Sequence, residues 1–343
     1  MVFCSCWQRQ IAGNWDLFEK GRTEPLVFRR TAGLRYRVAR PALWFTLEKM
    51  TEIEVFSPAK INLTLAITGK REDGFHSLTS LVAPLSFGDQ VSIGVRRGGS
   101  GIVLTTSNAA LPVDESNIAW QAADRFLKRF GVEASVKIRI EKRIPIGAGL
   151  GGGSSNGSSV LSGLAKLFDI DNLKVLTSIA EELGSDCPLF LRPEPLVMRG
   201  RGELIERLSS DVIRTLAGRS VVLFKPGFGI STAWAYGALA VAPQDYASAS
   251  EAEAKLEEWK RGERSLETLL MNSFDGAVGR KYPSIPLLLE SIRTETGAAC
   301  LTSGSGSSCF AICEDSEIDR IRSIVAEKWG KTAFFELARI LDI

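Results

Sequence analysis

An α+β fold in two domains is what this sequence predicts, and three observations predict it. At 343 residues the chain exceeds what one hydrophobic core usually serves. From Thr51 on, runs of alternating apolar and polar residues come first and helical periods lie between them. That order suits α+β better than a doubly wound parallel sheet. Third, a long glycine-rich stretch, 144–156 (IPIGAGLGGGSSN), stands where a strand-like run ends and a helix-like run begins.

The elements follow in order. Residues 52–57 and 61–68 alternate as strands, and the polar KREDGFH at 70–76 is a loop. Residues 85–94, 102–105 and 136–140 read as further strands. Residues 116–130 read as a helix, with Ser116 as N-cap and Gly131 as its stop. After the glycine stretch, a helix runs from Ser158 to Phe168, and another covers 173–183 and ends at Gly184. The domain boundary is expected within 208–220. Beyond it come a strand at 221–225, a helix from about Ser231, a charge-rich helix at 249–261 that reads as a solvated face, and a last strand at 298–302.

Glycines let the backbone turn tightly and approach a ligand closely. A helix starting just after them directs free N–H groups and its positive dipole end into the loop, which makes a cradle for phosphate. Three phosphate-binding classes compete for 144–156. The Walker loop needs a Gly-Lys-Ser/Thr ending, and no lysine follows here. The dinucleotide fingerprint matches Gly147, Gly149 and Gly152 but wants an acidic residue ending a strand roughly 20 residues on. Asp169 and Asp171 stand near that distance, at the end of a helix instead. The third class, P-x-x-x-G-L-G-G-G-S-S-N, fits without strain.

Composition narrows the function classes. A net charge of +2 gives no reason to expect nucleic acid or a membrane as partner. The longest uncharged span, 144–165, is too rich in glycine and serine for a membrane helix. Six scattered cysteines, no C-x-x-C pair and one histidine argue against a zinc site and suit a reduced, cytoplasmic protein. Residues 1–49 differ from the rest, with seven arginines, three of the seven tryptophans and no clear period. They fit neither a secretory signal nor a transit peptide, and are expected to be a poorly ordered extension with Met50 as a candidate natural start.

Two further places carry chemistry. Lys60, in S-P-A-K-I-N-L, is a lysine in an apolar strand and needs an anionic partner if buried. Asp186, in L-G-S-D-C-P-L-F, is a candidate, although spacing alone does not bring the two together and both also suit bland roles at an edge strand and a turn. A second glycine-serine loop, 302–308 (TSGSGSS), sits between apolar flanks, which is unlike a linker. Two such loops suggest one shared site for a polyphosphate.

P-A-K-I-N-L, D-G-F-H, P-x-x-x-G-L-G-G-G-S-S-N, G-x-D-x-P-x-F and S-G-S-G-x-x-C-F-A occur in this order over about 54–315. The set resembles the GHMP kinase superfamily, and within it the kinases of diphosphocytidyl methylerythritol in the non-mevalonate isoprenoid pathway. That resemblance implies a ribosomal S5-like ATP-binding domain at 50–212, a ferredoxin-like domain at 213–343, and ATP with Mg²⁺ as cosubstrate. The acceptor it implies is a cytidylyl sugar-alcohol diphosphate, phosphorylated on its 2-hydroxyl. It also implies a catalytic pair, Asp186 as base and Lys60 as the charge that orients it. The ATP loop would comprise Pro145, Gly147, Gly149, Leu150, Gly151, Gly152, Gly153, Ser154 and Ser155. Substrate contacts would come from Asn62, Phe75, His76, Thr232 and Tyr236, with His76 and Tyr236 on the cytosine ring. No metal ligand is implied by name.

The departures from the family pattern are small. Phe75 replaces a tyrosine, Gly157 and Ser158 replace two alanines, and 271–275 (MNSFD) is a loose form of an Asn-Asp element, which weakens any role given to Asp275. Another GHMP kinase, or a nucleotide-binding protein without turnover, are the alternatives.

Overall fold

The computed structural model describes residues 50–341, and the expectations for residues 1–49 lie outside them. Two long strands open the fold, β1 (Thr51–Lys70) and β2 (His76–Arg97), paired antiparallel along nearly their whole length. Pro58 does not split β1 as the sequence pattern predicted. The register shifts instead between Pro58 and Lys60, between Asn62 and Thr64, and between Ile67 and Gly69. Bulges of this kind absorb a proline's missing donor and bend the strand without ending it.

Then follow β3 (Ile102–Thr106), α1 (Ile118–Phe130), β4 (Ala134–Glu141), α2 (Gly152–Phe168), α3 (Leu173–Leu183), β5 (Leu196–Arg199), β6 (Leu204–Arg207) and α4 (Ser210–Leu216). The strand order is β3-β4-β2-β1, with β5 on the other half of β2 and β6 beyond it. The N-cap of α1 is Asn117, whose Oδ1 accepts from Ala119 N at 2.9 Å. Ser116, predicted for that place, donates to Asp114 at 2.6 Å instead. An acidic neighbour two residues back offers the hydroxyl a stronger acceptor.

The second half contains β7 (Ser220–Lys225), α5 (Thr232–Ala240), α6 (Ala249–Lys260), α7 (Leu266–Leu269), β8 (Met271–Asn272), α8 (Asp275–Lys281) and α9 (Ser284–Thr296). It closes with β9 (Ala299–Thr302), β10 (Cys309–Ile312), α10 (Ile318–Trp329) and β11 (Phe334–Arg339). An antiparallel sheet, β11-β7-β10-β9, carries α9 and α10 through Phe224, Leu288, Ile292, Ile321 and Ile324. Strand β8 leaves this half and pairs parallel with β1. Helices α1 to α3 cover the first sheet through Phe126, Val160, Leu164 and Ile179. A further core of Leu63, Leu85, Leu223 and Phe310 packs strands of the two sheets together.

Helix α6 is not the solvated face its charges suggested. Ala252, Leu256 and Trp259 are buried, an i, i+4, i+7 stripe hidden among the charges. Glu253 on its flank accepts from Arg199 at 2.9 Å and from Thr79 at 2.7 Å, which ties the helix to the first sheet.

Candidate active site

Helix α2 begins at Gly152, six residues before the predicted start, so the last part of the glycine stretch is helix rather than loop. Glycine's poor helix propensity conceals this in sequence. Gly151 is the N-cap, left-handed at φ 71° and without a side-chain cap, so the N–H groups of the first turn are free for an anion.

The two glycine-serine loops lie against each other. Ser308 N donates to Ala148 O at 3.2 Å, and Ser303 Oγ donates to Gly149 O at 3.0 Å. Gly149 has φ 77°, and a Cβ there would stand 2.1 Å from the carbonyl oxygen of Ser303. Only glycine fits where the two backbones cross.

Lys60 is brought to the same place by the bulge in β1. Its N–H donates to Leu150 O at 3.0 Å, joining strand and loop. Its side chain is 6% exposed, with Nζ 2.5 Å from Asn62 Oδ1 and 3.7 Å from Asp186 Oδ2. Asp186, on the turn after α3, is 37% exposed. The pair therefore couples a sheltered cation to a carboxylate that solvent or a ligand can reach. Asn62 donates in turn to Ser80 Oγ at 2.9 Å, so it also fixes Lys60.

A cavity of about 830 Å³ is lined by every residue given a catalytic, ATP-loop or substrate-binding role from the sequence except Ser155. Ser155 is buried and accepts from Ser57 Oγ at 2.8 Å, since consecutive residues in a helix point about 100° apart and Ser154 takes the open direction. His76 is buried beside Tyr236, ring centroids 4.8 Å apart, and its Nε2 is 3.2 Å from the Tyr246 hydroxyl. Burial, with the Lys70 charge second, holds the imidazole below its usual range. It is thus neutral near pH 7 and offers one donor and one acceptor. Burial, and then the Asp186 charge, raises the Tyr236 phenol. Thr232 Oγ1 is 2.9 Å from Ser305 Oγ, which links α5 to the second glycine-serine loop. Phe75 is half exposed with the Arg201 guanidinium 5.0 Å over its ring.

Sequence reasoning missed Lys142 and Arg201, which also line the cavity, and Tyr246, which contacts His76; Ser305 lines it from the second glycine-serine loop, as the shared-site reading expects. Lys142 stands in the charged E-K-R run that reads as a solvated strand end. Asp275 lies outside this cavity, on a smaller one of about 460 Å³. Among the described residues no three His, Cys, Asp or Glu side chains are grouped to hold a metal, and no helix is long and apolar enough to cross a membrane.

Residues 117–192 match the GHMP kinases N terminal domain, and 252–331 the GHMP kinases C terminal domain. A 4-diphosphocytidyl-2-C-methyl-D-erythritol kinase from Methylacidiphilum infernorum is 38% identical over 76% of this chain and 86% of its own. One of the same name from Thermus thermophilus is 34% identical over 81% and 94%. This chain belongs to the 4-diphosphocytidyl-2-C-methyl-D-erythritol kinase family of GHMP kinases. A solved 4-(cytidine 5'-diphospho)-2C-methyl-D-erythritol kinase superposes with a TM-score of 0.67 at 33% identity, covering 84% of this chain and 99% of that one. A homoserine kinase from Cytophaga hutchinsonii, at 18% identity and TM-score 0.65 over 84% and 95%, shares the fold. The α+β GHMP architecture expected from sequence is the one observed.

Proposed function

We propose that this kinase transfers the γ-phosphoryl group of ATP to the 2-hydroxyl of 4-diphosphocytidyl-2-C-methyl-D-erythritol in the cytoplasm, as a step of isoprenoid precursor synthesis. The observation that carries the reading is the single cavity in which the glycine loop, the Lys60–Asp186 pair and the His76–Tyr236 rings all meet. Phosphoryl transfer asks mainly for positioning and for stabilisation of charge. The uncapped start of α2 receives the phosphates, with Gly147 to Gly153 allowing close approach. The Asp186 carboxylate receives the proton of the acceptor hydroxyl. Lys60, held by Asn62, keeps that carboxylate ionised and oriented and offsets charge that develops on the transferring group. Neutral His76 reads the edge of a cytosine, and Tyr236 gives its ring a stacking surface.

The oxygen donors of the cavity suit Mg²⁺, which takes few protein ligands and keeps phosphate oxygens and water. Asp186 and the Ser154 hydroxyl would be its protein partners, and the ion would spread the charge of the β- and γ-phosphates. The test is a screen of acceptors with ATP. Phosphorylation of diphosphocytidyl methylerythritol, with homoserine and mevalonate left unchanged, is expected. Transfer to either of the latter at comparable kcat/KM would refute the acceptor assignment.

A further inference from the structure

Asp89 has no place in the chemistry described so far. Its side chain on β2 is fully buried and is not part of the cavity wall. A carboxylate in such a position is costly unless all its lone pairs are used, and here they are. Oδ1 accepts from Arg143 N at 2.7 Å and Ile144 N at 2.8 Å. Oδ2 accepts from Asn156 Nδ2 at 2.8 Å and from Lys142 Nζ. Every one of these partners flanks the glycine loop directly, residues 142–144 on the entering side and Asn156 on the leaving side. Ser57, opposite Asp89 across the β1–β2 pairing, completes the cluster. It accepts from Asn156 Nδ2 at 2.8 Å and donates to Ser155 Oγ at 2.8 Å.

Glycines lose more backbone entropy on ordering than any other residue. A loop built from them must be ordered either by its ligand, at a cost in affinity, or by contacts outside itself. We infer that Asp89 is the positioning residue of the ATP loop: one buried carboxylate ties the strand end entering the loop to the helix leaving it, and so sets the span that receives the polyphosphate. This rests on the assignment of 145–155 as the ATP loop. Lys142 links the clamp to the cavity. It lines the cavity wall, its side chain is 4% exposed, and its Nζ stands 2.7 Å from where a Cβ on Gly152 would be.

Asp89→Asn keeps the shape and the two bonds at Oδ1, but turns an NH₂ group toward two donors, Asn156 Nδ2 and Lys142 Nζ. Charge-assisted hydrogen bonds are about twice as strong as neutral ones, so ATP Kd is expected to rise roughly tenfold or more. Acceptor KM at saturating ATP should stay within about twofold and kcat within about threefold, a split that loss of folded protein would not produce. The double variant Asp89→Asn/Asn156→Asp moves the carboxylate across the same hydrogen bond. The new amide at 89 still accepts from Arg143 and Ile144 and now donates to position 156. It should recover ATP Kd to within about threefold of wild type.

Should Asp89→Asn fail to fold, the double variant decides. Folded with near-normal ATP Kd it supports the clamp, and unfolded or weak in ATP it overturns it. A folded Asp89→Asn with wild-type ATP affinity also overturns it, as does a double variant no better than the single. Gly149→Ala, which acts on the loop without touching Asp89, separates the two layers. Normal affinity in Asp89→Asn beside a Gly149→Ala weakened in affinity or in Tm defeats the clamp alone, whereas normal affinity in both with an unchanged Tm in Gly149→Ala defeats the loop assignment and the clamp with it.

Discussion

Replacing Gly149 by alanine adds one methyl group at the point where the two glycine-serine loops cross. Two costs follow, and they can be separated. The first is conformational, because φ 77° disfavours any L-residue with a Cβ, by about 1–2 kcal/mol. Gly147→Ala carries that cost alone, since φ there is 61° and no atom lies within 4 Å of the new Cβ. The second is steric. The Gly149 Cβ would stand 2.1 Å from Ser303 O, a backbone atom that cannot rotate away, and 3.3 Å from Gly306 N. Reaching ordinary contact requires the loops to part by more than an ångström, and overpacking of this kind costs about 1–3 kcal/mol more. At 1.4 kcal/mol per factor of ten, Gly149→Ala should bind ATP roughly five- to hundredfold more weakly than Gly147→Ala, or lose the equivalent in stability. Titration calorimetry with ATP, paired with thermal melts of both variants, measures the two routes by which the cost can appear. If Gly149→Ala and Gly147→Ala agree within twofold in Kd and within a degree in Tm, the loops do not meet as described and the shared polyphosphate site falls.

Four further outcomes are expected. Asp186→Asn removes the base with little change of shape and should lower kcat by about 10²–10⁴ with ATP Kd near normal; near wild-type turnover in the folded variant would reject Asp186 as base. Tyr236→Ala and His76→Ala should each raise acceptor KM about tenfold or more and leave ATP KM unchanged, and the reverse pattern would put these rings on the other nucleotide. Because burial holds the His76 imidazole below its usual range, the rise in acceptor KM on acidification should begin at lower pH than an exposed imidazole would give. Asp275 is a different case: burial raises it to about 6, and its Oδ1 is buried with no hydrogen-bond partner. A raised carboxylate contributes stability below its unfolded value of 3.8 and loses it as pH rises through about 6. Asp275→Asn should therefore raise Tm near pH 8, by the equivalent of up to about 3 kcal/mol, with the gain fading as pH falls from 6 toward 4; an equal gain at both ends would point to packing and not charge.

What was legible in the sequence was local. Pro145 through Ser154 can be read as a candidate phosphate cradle because glycine and helix-start chemistry lie within a dozen consecutive residues, and nothing distant is needed to recognise them. The five motifs in order carried the family, its α+β fold and the cavity wall, from Lys60 and Asn62 to Thr232 and Tyr236. The helix within the glycines stayed hidden because propensity argues against it, and α6 read as solvated because its apolar stripe is three residues wide among many charges.

Tertiary structure alone decided which charges are paired and which residues face inward. Lys60 and Asp186 stand far apart in the chain and meet at 3.7 Å only because a bulge in β1 and the turn after α3 converge. Asp89 gives no local signal, an ordinary G-D at a strand bend. It becomes the anchor of the glycine loop because β2 lies between β1 and β4, which carries 142–144 past its carboxylate while α2 brings Asn156 from the other side. Periodicity and turn chemistry are set by neighbours along the chain and can be read there. Pairing of buried charges depends on which strands lie side by side, and that is determined by the packing of the whole core.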